Sequence, residues 1–262
     1  MTRIPAVPLM LSLAGLIPFG NASIHAGPRR SWTADGDWPD EEVPPAVPGY
    51  KAWEGDLEEQ RWCLGIRNGS SGEKDTPPSE ALFPVILSVS SETDPEGQER
   101  FFIDTPSSCA FIPILPLDRN VGDLSSYVDA WHAHGENAGG RAMLWAERML
   151  PPAWKAAWNA GNNTPADYGG AVRKSIILLT GSGLSATPDE TRIFSETCTR
   201  LRGKEVSFYM IDYETPADMT SLMKECAGEN GFYFRVGGLG DLKRSFSEIA
   251  HSLMTVRITA LH

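Results

Sequence analysis

The stretch from Lys174 to Asp212 constrains this chain more than any other. It opens with Lys174-Ser-Ile-Ile-Leu-Leu-Thr-Gly181, an apolar run of strand length flanked by turn-formers. A polar loop follows, then a segment with helical spacing from Glu190 to Arg202, apolar at Ile193, Phe194 and Leu201. Gly203 is expected to stop that helix, and Val206-Ser-Phe-Tyr-Met-Ile211 is a second apolar run. Strand, helix and strand within about 40 residues is the sequence form of one βαβ crossover. Runs apolar on both faces predict parallel strands buried between helices. The ligand site of such a sheet is expected at the strands' carboxyl ends. Here that end reads Leu179-Thr-Gly-Ser-Gly183, without carboxylate, histidine or cysteine.

The rest of the chain extends this α/β pattern. Apolar runs predict short strands over 11–19 and 23–26, and another at Gly231 to Val236. Helical spacing predicts helices at Asp123 to His132 (Leu124, Val128 and Trp131 on one face), Arg141 to Leu150, Asp218 to Ala227 and Asp241 to Ser252. An apolar tail, Leu253 to Leu261, follows the last of these. Residues 33–108 differ: they are rich in Pro, Gly, Ser and acidic residues, so regular structure is not expected there. Their scattered aromatics (Trp38, Trp53, Trp62, Phe83, Phe101, Phe102) point to an irregular insert that packs on the core rather than a disordered linker. Three parts result: 1–32 with the first strands, the insert 33–108, and 109–262.

The net charge of −11 argues against nucleic acid or an anionic membrane surface as the main partner. No run of 18 apolar residues is present, so no transmembrane helix is expected. Arg3 and the apolar residues 6–19 have two readings, a signal peptide interrupted by prolines or a buried strand. Cys63, Cys109, Cys198 and Cys226 are too far apart for C-x-x-C pairs. Their even number fits two disulfides in an oxidising compartment, or four reduced buried thiols.

The ordered series of motifs resembles the von Willebrand factor A (vWA) domain of the TadG-like family of Tad/Flp pilus-assembly proteins. The carrying residues are Leu13-Ala-Gly-Leu-Ile-Pro-Phe-Gly20 with Trp32, Trp53-Glu-Gly-Asp-Leu-Glu-Glu-Gln-Arg61, Ala81-Leu-Phe-Pro84, Cys109 to Leu117, Gly135 to Trp154, Ser175 to Gly183, Cys198 to Tyr213 and Leu222 to Ala227. The resemblance implies a Rossmann-type, mostly parallel sheet flanked by helices. It also implies a non-enzymatic role in protein–protein contacts at the cell envelope, periplasmic or extracellular, with other pilus-assembly components as partners. Active vWA domains hold a divalent cation with a D-x-S-x-S loop, a Thr and an Asp. Here the Thr position is Asn137, the Asp position is Gly181, and the D-x-S-x-S loop and its strand have no counterpart. A degenerate metal site without Mg²⁺ is therefore expected. Ser88-Val-Ser-Ser-Glu92 is the nearest internal mimic of the missing loop and lacks its leading Asp. The resemblance further implies a Cys198–Cys226 disulfide and, with it, a Cys63–Cys109 pair. Contact loops would include Gly20, Asn21, Glu136, Asn137, Ser182 and Asp189.

Other clusters have plainer readings beside functional ones. His132, His134 and Glu136 can be a metal cluster or a solvated helix end. Gly237-Gly-Leu-Gly240 lacks the lysine of a P-loop and reads as a turn. The acidic run Asp37 to Glu42 reads as a solvated loop. Two alternatives to the interaction domain stay open: a nonfunctional or truncated fragment, and a small secreted hydrolase on a doubly wound sheet.

Overall fold

The computed structural model describes residues 138–158, 165–169, 172–181, 183, 188–229 and 231–259. Before them it describes 14–16, 23–25, 61–64, 67, 74–81, 83, 85–86, 88–93, 99–104, 114–118 and 128–129. Three short antiparallel sheets come from the first half. Ala14–Leu16 (β1) pairs with Leu115–Asp118 (β7); Ser23–His25 (β2), Arg61–Leu64 (β3) and Val85–Ile86 (β4) form a second sheet; Ser88–Thr93 (β5) and Glu99–Asp104 (β6) form a hairpin. The first two strands fall where the apolar runs placed them.

Within 33–108, where regular structure was not expected, β3 to β6 lie at 61–64, 85–86, 88–93 and 99–104. The hairpin was hidden because β5 is almost wholly polar and shows no alternation of its own. Its ladder is set by β6, with Val89 opposite Ile103 and Ser91 opposite Phe101. The Ser88–Glu92 stretch is thus strand, not a ligand loop.

The second half is built on a parallel sheet of Ser175–Thr180 (β8), Ser207–Tyr213 (β9) and Phe232–Val236 (β10), in the order β10-β9-β8. Its helices are Gly139–Arg148 (α1), Lys155–Trp158 (α2), Pro188–Arg202 (α3), Ala217–Ala227 (α4) and Leu239–Thr259 (α5); a 3₁₀ turn, Pro152–Trp154, runs directly into α2. Two βαβ units result, β8-α3-β9 and β9-α4-β10, each strand pair in parallel register with Ile177 beside Tyr209 and Phe232 beside Tyr209.

α3 ends at Arg202, directly before Gly203, as expected, and the left-handed turn that follows falls on Glu205 (φ 58°). Two other segments differ from expectation. The expected tail after Ser252 is helix as far as Thr259, because neither glycine nor proline interrupts it. Of the helix expected over 123–132, residues 128 and 129 are helical, and Val128 is exposed rather than on a buried face.

The core has three parts. On one sheet face Ile176, Leu178, Phe208 and Met210 pack against Met143 of α1, Phe194 and Leu201 of α3 and Met223 of α4. On the other face Tyr209, Ile211 and Val236 pack against Ile249 of α5. That helix lies over β9 and β10, so the outward residues of β8, Ile177 and Leu179, stay 43% and 41% exposed. The expected burial of both strand faces therefore holds for β9 but not for β8. In the third part Phe83 stacks on Trp145 with ring centroids 5.2 Å apart, and Trp154 stacks on Trp158 at 5.5 Å. Leu64 and Ile114 complete this cluster, which ties the insert to α1 and α2. Such aromatic pairs contribute roughly 0.5–1.5 kcal/mol each beyond their buried area.

Candidate functional site

The carboxyl ends of the parallel strands are where a sheet of this kind presents its loops. Thr180 ends β8 buried, and the next residue, Gly181, is exposed. It offers only backbone, and a Cβ placed there would come within 3.3 Å of the Tyr213 carbonyl. Asp189, in the first turn of α3, is exposed and paired with Arg192 at 3.3 Å. Gly20, Asn21, Glu136, Asn137, Ser182 and the His132–His134 pair lie outside the described residues, as does Cys109. Cys63 enters only through its backbone, opposite Ser23 in the β2–β3 ladder.

The chemistry-bearing residue at this end is one that sequence reasoning did not single out. Asp212, near the end of β9, is fully buried. Its Oδ1 accepts the Thr215 N–H at 2.8 Å and the Thr215 hydroxyl at 2.9 Å. Its Oδ2 accepts the Thr220 hydroxyl at 2.8 Å and the Tyr233 phenol. Burial alone would raise the carboxyl's pKa. The four donors outweigh it and hold the group at about 2. Burial and the hydrogen bond to Asp212 push the Tyr233 phenol up. The local signal was Asp212-Tyr-Glu-Thr215, an acid followed three residues later by a threonine that can close a turn on it.

A second buried carboxylate joins two helices at the same end. Glu190 of α3 accepts the Arg141 N–H at 3.0 Å and Arg141 Nε at 2.5 Å. The close approach depends on Gly140, where a Cβ would stand 2.2 Å from the Glu190 carbonyl oxygen. Among the described residues, no three His, Cys, Asp or Glu side chains gather as a metal would require.

The chain matches no family model, no characterised protein and no solved structure.

The cysteines resolve in part. Cys198 of α3 and Cys226 of α4 form a disulfide, with Cα atoms 5.3 Å apart. Both lie in the core between the two helices, as the resemblance implied for this pair.

At the opposite, amino end of the strands lies a charged network that the sequence reading also passed over. Glu147 of α1 is fully buried and takes Arg200 Nη2 at 2.7 Å, while Lys204 Nζ stands 3.7 Å from its other oxygen. Lys204 also binds the Asp75 carboxylate at 2.8 Å. Lys174, just before β8, donates to the Leu150 and Ala166 carbonyls at 2.5 and 2.6 Å and lies 3.7 Å from the centre of the Tyr168 ring. Burial lowers its pKa to about 8. Burial also lowers Arg67, to about 10, and carries the Arg148 guanidinium well below its usual value. The sheet's amino end thus holds several charged side chains inside.

Proposed function

We propose that this chain is a non-enzymatic, vWA-like protein-interaction domain that serves assembly contacts in a Tad/Flp-type pilus or envelope secretion system. The observation that carries this reading is the saturation of the strand-end carboxylates. Asp212 accepts four donors and Glu190 holds Arg141, so neither is poised as a base, a nucleophile or a ligand. Gly181 stands where the vWA pattern has its aspartate, with no side chain to bind a cation. The contact segments that the resemblance implies, 20–27, 135–140 and 181–189, would serve a partner without a bound cation.

The Cys198–Cys226 disulfide supports an extracytoplasmic location, periplasmic or extracellular. No helix among the described residues is long and apolar enough to cross a membrane. Neither nucleic acid nor a resident Mg²⁺ enters the reading.

The test is calorimetric titration with Mg²⁺ and Mn²⁺ beside a thermal melt. The expected result is a cooperative melt and no saturable heat. Stoichiometric micromolar binding would overturn it and restore a metal-dependent adhesion mechanism.

A further inference from the structure

Residues 74–81 read Lys74-Asp-Thr-Pro-Pro-Ser-Glu-Ala81, and their first half has no regular secondary structure. Such a segment cannot use a helix or a ladder to satisfy its backbone. Its carbonyls are instead captured by side chains from elsewhere. Arg148 Nε donates to Lys74 O at 3.3 Å, and Trp154 Nε1 donates to Asp75 O at 2.5 Å. Arg67 donates to Thr76 O at 2.8 Å and to Ala81 O at 2.7 Å. The Asp75 carboxylate meets Lys204, and Pro77 and Pro78 are buried. From Pro77 the segment turns, the Pro77 carbonyl accepting the Glu80 and Ala81 N–H groups at 3.0 and 3.2 Å. Side-chain donors on successive carbonyls, an indole N–H among them, beside buried prolines, is how proteins hold a proline-containing peptide.

Two further observations separate this from ordinary loop packing. The fit is incomplete: Arg67 Nε and the Tyr168 hydroxyl are buried without a hydrogen-bond partner, and Arg67 is 4% exposed. The seat is also cationic within an acidic chain. Arg67, Arg148, Lys174, Arg200 and Lys204 gather there against Glu147, Asp167 and the segment's own Asp75.

We infer that residues 74–81 act as a strap seated in a peptide-docking groove, and that this groove takes an acidic, proline-containing segment of a partner protein in the strap's place. The groove lies at the amino ends of β8 and β9 and does not depend on the strand-end loops or on the metal reading. An occupant held in cis lowers the apparent affinity for one in trans by the fraction of time the groove is open. The free segment should therefore bind weakly to the native chain and better once the strap is loosened.

The experiment uses the full chain with Asp75→Lys, which sets the strap against Lys204. The probe is a fluorescently labelled peptide, acetyl-Asp-Thr-Pro-Pro-Ser-Glu-Ala amide, read by anisotropy. Binding at least tenfold tighter than to the native chain is expected, and it should disappear when the peptide's aspartate is replaced by lysine. A variant that melts cooperatively yet shows no saturable binding would overturn the inference, as would binding indifferent to that aspartate. A variant that dimerises in sedimentation, and that the peptide dissociates, would give the groove to a second copy's strap and overturn the assignment to a partner protein. If Asp75→Lys does not fold, the native chain is digested with trypsin and cleavage after Lys74 is followed. Excess peptide should raise that rate several-fold; an unchanged rate would count against an exchangeable strap.

Discussion

The Thr220 hydroxyl donates to Asp212 Oδ2 at 2.8 Å and lies 3.2 Å from the Thr215 hydroxyl, so one carboxylate gathers the start of α4 onto the end of β9. Asp212→Asn keeps the shape and removes the charge. It is expected to destabilise the fold by about 2–4 kcal/mol, read from denaturant midpoints, because several donors would then face a neutral amide.

The same residue sets an acid limit. Its folded pKa of about 2 lies below the ordinary 3.8, so its contribution is complete above pH 4 and is lost as pH falls from there toward 2. Roughly 2 kcal/mol of stability should disappear over that window. In Asp212→Asn the slope of stability against pH should be shallower there by that amount.

Lys174 predicts a slope of opposite origin. Its folded pKa, about 8, lies below the unfolded 10.5, so above pH 8 the unfolded chain binds the extra proton and stability rises with pH. Burial pushes the Tyr168 phenol up, so the unfolded tyrosine ionises first near pH 10 and opposes the trend from there. Denaturant midpoints should therefore climb between pH 8 and 9.5. Lys174→Met should remove the climb; a climb that survives would place its origin elsewhere.

Gly140→Ala tests the junction of α1 and α3. The added methyl meets backbone, not a movable side chain, and overpacking of this kind costs about 1–3 kcal/mol. The melting temperature should fall, and it should fall far less for Gly237→Ala, where a Cβ meets nothing within 4 Å.

Reduction of the buried Cys198–Cys226 bond should need prior opening of the α3–α4 interface. Replacing both cysteines with alanine should cost roughly 3 kcal/mol, from the loop that the bond closes across a separation of 28 residues. Equal melting temperatures for the native chain and the double variant would show that the bond adds nothing to stability.

The βαβ core was legible because β8 is an uncharged run, β9 is uncharged as far as Ile211, and each helix repeats its apolar residues at 3.6-residue spacing. β8, β9 and α4 lie within a residue or two of their expected bounds. Trp145 and Met149, four residues apart in the stretch expected to be helical, are both buried. The β5–β6 hairpin was not legible, since Ser88 to Thr93 carries no apolar period and its pairing is a property of its neighbour. Asp212, Glu147 and Lys174 were missed for a different reason. A charged side chain declares nothing about its burial until the donors or acceptors around it are known, and those come from residues such as Tyr233 and Arg200, 21 and 53 positions away.

The disulfide also has a mechanical consequence. Tension entering α3 and leaving through α4 would pass from Cys198 to Cys226 through sulfur. The intervening residues 199–225, with β9 and its Asp212 knot, would carry none of it. A chain pulled from both ends would thus lengthen first outside this loop, and its central strand would be the last to feel the load.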